Sequence, residues 1–102
     1  MNRYVVRWEK RTAIPLLEAI KDKRVQRLLI KRAERLAITP ELQGKSLSRD
    51  LAGLWSVRAV GQRYRLVYEI EQESQVVWIV AVGLRRSGDR SDIYEITKKM
   101  TG

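Results

Sequence analysis

Between Gly53 and Ile70, apolar residues recur at every second position in two runs separated by Gly61 and Gln62. In the first run Trp55, Val57 and Ala59 share one side, and Ser56 and Arg58 the other. In the second, Tyr64, Leu66, Tyr68 and Ile70 stand opposite Arg63, Arg65, Val67 and Glu69. A two-residue period is that of a β-strand, so the stretch predicts a hairpin. A type II′ turn at Gly61-Gln62 sets Trp55 across from Tyr68, Val57 from Leu66, Ala59 from Tyr64, and Arg58 from Arg65. A slip by one residue would mix the faces, so burial enforces this register.

The rest of the chain divides by the same reading. Residues Arg3 to Trp8 alternate and predict a short strand. Ala13, Leu16, Leu17 and Ile20 fall on one face of a helix over Arg11–Ile20, with Thr12 as its cap. A longer helix follows from Asp22 to Ile38, with Val25, Leu28, Leu29, Ala33 and Leu36 as its buried stripe; Thr39-Pro40 ends it. Glu41 to Ala52 has no clean period and reads as a loop. After a polar turn at Glu71–Ser74, Gln75 to Leu84 is apolar on both faces, which calls for cover on both sides. Trp78 and Val80 are expected on the Arg65 face, as an apolar strip for a partner or for the chain's own tail. Arg85 to Arg90 links this strand to a helix over Asp92–Lys99. With 102 residues and no internal linker, the expectation is one domain over 1–102.

Charge changes the picture more than composition does. The balance of 21 Lys and Arg against 12 Asp and Glu gives a net charge of +9, which favours a polyanionic partner or an acidic protein. Thirteen of the basic side chains but only six of the acidic ones lie in residues 1–52, so the excess sits in the helical half. The absence of cysteine points to a reducing compartment, and no apolar run approaches the roughly 20 residues of a membrane span. A cytoplasmic protein with no membrane partner is the expectation.

Two clusters of cations are candidates for function. Arg58 and Arg65 face each other on the polar side of the hairpin, where like charges weaken a sheet unless an anion lies between them. Arg24, Arg27, Lys31 and Arg35 line one side of the long helix with two like-charge i, i+4 pairs, either a solvated face or a docking surface for RNA phosphates. Lys45 and Arg49 are within reach of a bound phosphate. Without histidine, a serine triad, a histidine-based ribonuclease and a histidine metal site are excluded. No cofactor is implied. Arginine, lysine and tyrosine do suffice for attack by an RNA 2′-hydroxyl on its own 3′ phosphate, because guanidinium forks bind the phosphate and stabilise the charge developing on it. Tyr94 is the candidate base.

Three segments carry a resemblance to a known family: LWSVR at Leu54–Arg58, YRLVYEI at Tyr64–Ile70, and VGLRR at Val82–Arg86 followed by DIY at Asp92–Tyr94. Together they resemble the RelE/ParE superfamily of bacterial toxins, specifically the RelE-type messenger-RNA interferases. The resemblance implies an α+β fold: a four-stranded antiparallel sheet, two N-terminal helices packed on one face and a short C-terminal helix. It implies that Arg65 binds the scissile phosphate, that Arg85 stabilises the transition state, and that Tyr94 stacks on a base or takes a proton. Arg58 occupies a position often filled by lysine. It also implies entry into the ribosomal A site, cleavage of messenger RNA there, and contact of the basic helix, through Arg24, Arg27, Lys31 and Arg35, with ribosomal RNA; Lys45 and Arg86 are further candidates for contact with RNA or ribosome. A cognate antitoxin, acidic in its toxin-binding segment, is the implied protein partner. The sequence departs from the family at Ser56, where a second basic residue is common. Two alternatives therefore stay open: a ParE-like inhibitor of DNA gyrase, and a catalytically inactive module that binds RNA or a partner.

Overall fold

In the computed structural model, which describes residues 3–101, the alternating segments assemble into one mixed sheet. Residues 1, 2 and 102 of the expected domain lie outside the described residues. The elements are β1 (Val5–Trp8), α1 (Ala13–Glu18), α2 (Lys23–Glu34), the single turn α3 (Pro40–Gln43), β2 (Lys45–Ser46), β3 (Trp55–Ala59), β4 (Tyr64–Glu71), β5 (Val76–Leu84) and α4 (Ile93–Thr101). Short 3-10 turns at Arg35–Ala37 and Arg49–Leu51 fill two of the connections.

The α+β class holds, but the sheet differs from the expected four antiparallel strands. It has five strands in the order β1-β5-β4-β3-β2. β1 runs parallel to β5, pairing Val6 with Val77 and Trp8 with Ile79. No hairpin constrains these two strands, because the helices and the remaining strands lie between them in sequence, and a long crossover permits the parallel pairing. The fifth strand, β2, is only two residues long and pairs Lys45 with Ser56. Two residues carry no period, which is why Glu41–Ala52 reads as loop.

The hairpin register is the one the alternation demands: Trp55 opposite Tyr68, Val57 opposite Leu66, Arg58 opposite Arg65, Ala59 opposite Tyr64. Its turn is different. Val60, Gly61 and Gln62 have φ of 50°, 64° and 69°. Positive φ at both central residues is the mark of type I′ rather than II′, and matches the right-handed twist of the flanking strands. Val60, β-branched and left-handed, is strained there.

Both faces of β5 are covered, as its two-sided apolar character requires. On one face Leu66, Tyr68, Val77, Ile79 and Val82 pack with Ala13 of α1 and with Leu29 and Ala33 of α2, joined by Leu36 beyond its end. On the other, Val67 and Ala81 pack with Ile93 of α4. Gly83 lets α4 approach: a Cβ there would stand 3.0 Å from the Ile93 Cδ1. Leu28, expected in the buried stripe, is 40% exposed. It lies about 100° around the helix from Leu29, off the line of residues 29, 33 and 36 that meets the sheet. Trp78 does lie on the Arg65 side, opposite Glu69, half-buried and donating its indole N–H to Glu71 Oε2 at 3.2 Å.

A bulge between Val67 and Tyr68 shifts the β4–β5 register, pairing Val67 with Ala81 but Tyr68 with Ile79. Val80 is skipped, and its carbonyl accepts the Thr12 hydroxyl at 2.6 Å. Thr12 stands at the N-cap position, as the sequence suggested, but its hydroxyl makes no capping bond; its side chain satisfies the bulge and ties α1 to β5. Asp22, in contrast, does cap α2, accepting the amides of Arg24 and Val25.

Tyr68 anchors the inner layer. Its ring is fully buried and its hydroxyl donates to the Pro40 carbonyl at 2.9 Å. Burial pushes the phenol up to about 12, with Arg32 opposing and Glu41 reinforcing the shift. The folded value lies above the unfolded value of about 10, so this contribution to stability is whole below pH 10 and is lost as pH rises from about 10 to about 12. Denaturant titrations across that window are expected to show a steep loss of stability in the wild type and a shallower one in Tyr68→Phe. Equal slopes would assign the alkaline loss to other groups.

Candidate active site

The polar side of the hairpin forms the floor of a cleft of about 530 Å³ lined by Arg32, Gln43, Lys45, Ser46, Leu47, Ser56, Val57, Arg58, Arg65 and Tyr94. Four of these residues are cationic and none is acidic. A concave surface of that kind attracts an anion.

Each side chain is there for a local reason. Arg58 and Arg65 are cross-strand partners, so the register alone sets them side by side. The left-handed turn then turns Gln62 toward both: its carbonyl accepts Arg65 Nη1 at 2.6 Å, and its side-chain oxygen accepts Arg58 Nη1 at 3.4 Å. Arg65 Nη1 also reaches the Tyr64 carbonyl at 3.1 Å. Ser56, one strand pair away, is buried, and its Oγ lies 2.8 Å from the hydroxyl of Tyr94. α4 delivers Tyr94 because Ile93 is pinned against Gly83.

Arg85 stands behind this pair. Its guanidinium carbon lies 4.7 Å from the centre of the Tyr94 ring, within cation–π range. With Arg63, Arg65 and Arg86 it lines an adjoining pocket of about 440 Å³, so Arg65 belongs to both concavities. The four residues expected to be catalytic therefore occupy one continuous region. Arg86 flanks it, its Nη1 donating to the Ser91 hydroxyl at 3.3 Å.

The expected RNA-docking residues divide. Lys45 lies in the cleft itself, carried by β2. Arg24, Arg27, Lys31 and Arg35 are exposed on α2 and the turn after it, and none lines the cleft. Lys31 and Arg35 instead share a separate depression with Arg3, Glu34 and Ile38.

Two candidate site residues escaped the sequence reading. Arg32 projects from the flank of α2 into the cleft, where its Nη1 donates to Gln43 Oε1 at 2.8 Å; the Gln43 amide in turn donates to the carbonyls of Arg35 and Ile38. Burial, together with the neighbouring Arg35, lowers its guanidinium below the ordinary value, so an anion in the cleft would relieve both penalties. The other is Asp92, almost fully buried, whose Oδ1 lies 2.7 Å from Arg85 Nη1. Its place just before the apolar pattern of the last helix was the available signal, since aspartate is a preferred helix cap.

The fold and the sequence are similar to those of known proteins. Residues 6–87 match the family described as the ParE toxin of type II toxin–antitoxin systems. An E. coli protein described as a RelE-like toxin is 27% identical over 78 residues, spanning 76% of this chain and 78% of its own. The crystal structure of the toxin–antitoxin complex RelBE2 from Mycobacterium tuberculosis contains a chain 36% identical to this one, with a TM-score of 0.75 over 83% of this chain and 94% of that one. The free E. coli RelE toxin carrying two arginine-to-alanine substitutions shares the fold at 21% identity, with a TM-score of 0.72 over 96% of this chain and 97% of that one. The chain belongs to the ParE toxin family of type II toxin–antitoxin systems, within the RelE/ParE superfamily.

Proposed function

We propose that this toxin is a ribosome-dependent endoribonuclease that cuts messenger RNA in the A site. The observation that carries the reading is the acid-free cleft, in which Arg58, Arg65, Ser56 and Tyr94 converge with Arg85 stacked on the tyrosine. In the reaction the 2′ oxygen forms a bond to phosphorus as the bond to the 5′ oxygen breaks, leaving a 2′,3′-cyclic phosphate and a 5′-hydroxyl. Arg65 and Arg85 hold the phosphate and balance the charge growing on its oxygens. The 2′ proton passes to the Tyr94 hydroxyl, hydrogen-bonded to Ser56, as that hydroxyl gives its own proton to the departing 5′ oxygen, so one proton moves from 2′ to 5′ with none gained or lost. Ser56 does not replace the missing base; it fixes the phenol. Arg58, Arg32 and Lys45 draw the strand into the cleft, while Arg24, Arg27, Lys31, Arg35 and Arg86 bear on ribosomal or messenger phosphates. Antitoxin chains accompany the toxin in the RelBE2 complex, and by that likeness an antitoxin with an acidic segment is the protein partner here.

One observation favours a second reading. The family match is to ParE toxins and stops at residue 87, before Asp92 and Tyr94, so the segment that completes the cleft lies outside it. A gyrase inhibitor needs no such closure. Brief expression in bacteria followed by extraction of RNA and DNA separates the two: breaks at defined positions in messenger with intact DNA are expected, whereas DNA damage with intact messenger would overturn the proposal.

A further inference from the structure

The least explained charge in the molecule is Asp92. It is 2% exposed and sits between β5 and α4. Its Oδ1 forms an ion pair with Arg85 Nη1 at 2.7 Å and accepts the Arg86 amide; its Oδ2 accepts the Tyr94 amide at 3.2 Å. Burial alone would raise this carboxyl, but Arg85 and the two amides outweigh it and hold it below the usual carboxylate range. Asp92 thus touches the segment on both sides of the site. Its carboxylate grips Arg85, the next residue's backbone and the backbone of the residue whose ring Arg85 covers.

A helix cap needs no such reach. Capping requires only that an oxygen meet the first amides of α4, and a serine does that as well as an aspartate. The contact with Arg85 is additional, and it uses one nitrogen of a guanidinium that carries five N–H donors. Among the described residues, no hydrogen bond engages the other nitrogens, and the side chain stays one-third exposed. Arg85 is held at one corner with its remaining fork open.

We propose that Asp92 is the positioning residue for Arg85: it fixes the guanidinium on the Tyr94 ring, so that the open fork and the phenol address the same scissile phosphate. The catalytic part of this inference rests on the endoribonuclease reading above; the geometric part does not. A held arginine loses little rotamer freedom when the phosphate arrives, whereas a free one must be ordered in each encounter.

Two substitutions separate positioning from capping. Asp92→Asn keeps an oxygen for Arg85 without the charge but gives up the cap, because its amide nitrogen, a donor, then faces the Tyr94 amide. Asp92→Ser keeps the cap but is too short to reach Arg85. The full-length chain is assayed for single-turnover cleavage of messenger on programmed ribosomes, and its Arg85 Nε–H resonance, assigned from its loss in Arg85→Gln, is followed by NMR. Asp92→Ser should lower the saturating rate about 100-fold with the half-saturating concentration changed less than about threefold. Asp92→Asn should lose about fivefold, as expected when a neutral acceptor replaces the carboxylate of an ion pair. In an Arg85→Gln background, Asp92→Ser should change the rate by less than about twofold, because the two residues act as a unit. The Nε–H resonance should carry the ring-current shift of Tyr94 in the wild type and Asp92→Asn, and lose it in Asp92→Ser. Asp92→Ser that cuts as fast as wild type, or that loses equally in the Arg85→Gln background, overturns the proposal. An Nε–H unchanged in Asp92→Ser does the same. A wild type that cuts no messenger overturns the endoribonuclease reading instead, and the resonance then decides the positioning by itself.

Discussion

Arg65→Ala is expected to lower the rate of messenger cleavage by roughly 10²–10³, the loss typical when one donor to a developing oxyanion is removed. The side chain belongs to both concavities of the site, beside Arg58 in one and Arg85 in the other. Its structural role is small. It donates to two carbonyls of its own turn, and hydrogen bonds of this sort contribute about 1 kcal/mol each. The variant should therefore stay folded, and its melting temperature measured beside its rate separates chemistry from stability. Arg85→Lys is the companion. It keeps a cation for buried Asp92 but removes the fork, so it should cost activity while sparing the fold. Arg85→Ala is a poorer test, because an unpaired buried carboxylate is itself strongly destabilising. Arg65→Ala cutting messenger at the wild-type rate would remove Arg65 from the site.

The largest effect on stability is expected at Gly44, between α3 and β2. A Cβ there would collide with the Ser56 carbonyl oxygen and approach the Tyr68 hydroxyl to 2.5 Å. Neither neighbour can yield cheaply: one is backbone in the sheet, and the other is a buried phenol bonded to Pro40. Gly44→Ala should cost about 3 kcal/mol, at the upper end of the range for overpacking, lowering the melting temperature by roughly 12–24 °C. Gly53→Ala is the control. Open space surrounds it, and its φ of +94° costs only about 1–2 kcal/mol. A Gly44→Ala variant that melts within a few degrees of wild type would mean that β2 is loosely held, and Lys45 with it.

The parts of the fold legible in the sequence are those where burial sets a period. The hairpin register follows from alternation and places Arg58 beside Arg65 without further information. α2 and the two-sided β5 are legible for the same reason. What escapes depends on contacts distant in sequence. The parallel pairing of β1 with β5 is set by where the helices pack, and β2 has too few residues to show a pattern. The type I′ turn uses Gln62, a residue without the glycine or asparagine signature of positive φ. The candidate site divides along the same line. Its arginines were readable from strand phase and from the family resemblance, but the partners that orient them were not. Asp92 meets Arg85 only after the chain has turned from β5 into α4, and Arg32 enters the cleft only because α2 crosses near β3. Ser56, read as a missing base, lies 2.8 Å from Tyr94 Oη, a contact that sequence spacing does not reveal.

The central claim is that the arginine cleft performs transesterification on ribosome-bound messenger. The most direct test is to add the purified toxin to ribosomes stalled with a defined messenger and determine the chemistry of any new ends. The account predicts a single break within the A-site codon, bearing a 2′,3′-cyclic phosphate upstream and a 5′-hydroxyl downstream, and a loss of both in Arg65→Ala. Messenger left intact by active toxin, or ends bearing a 5′-phosphate, would contradict it.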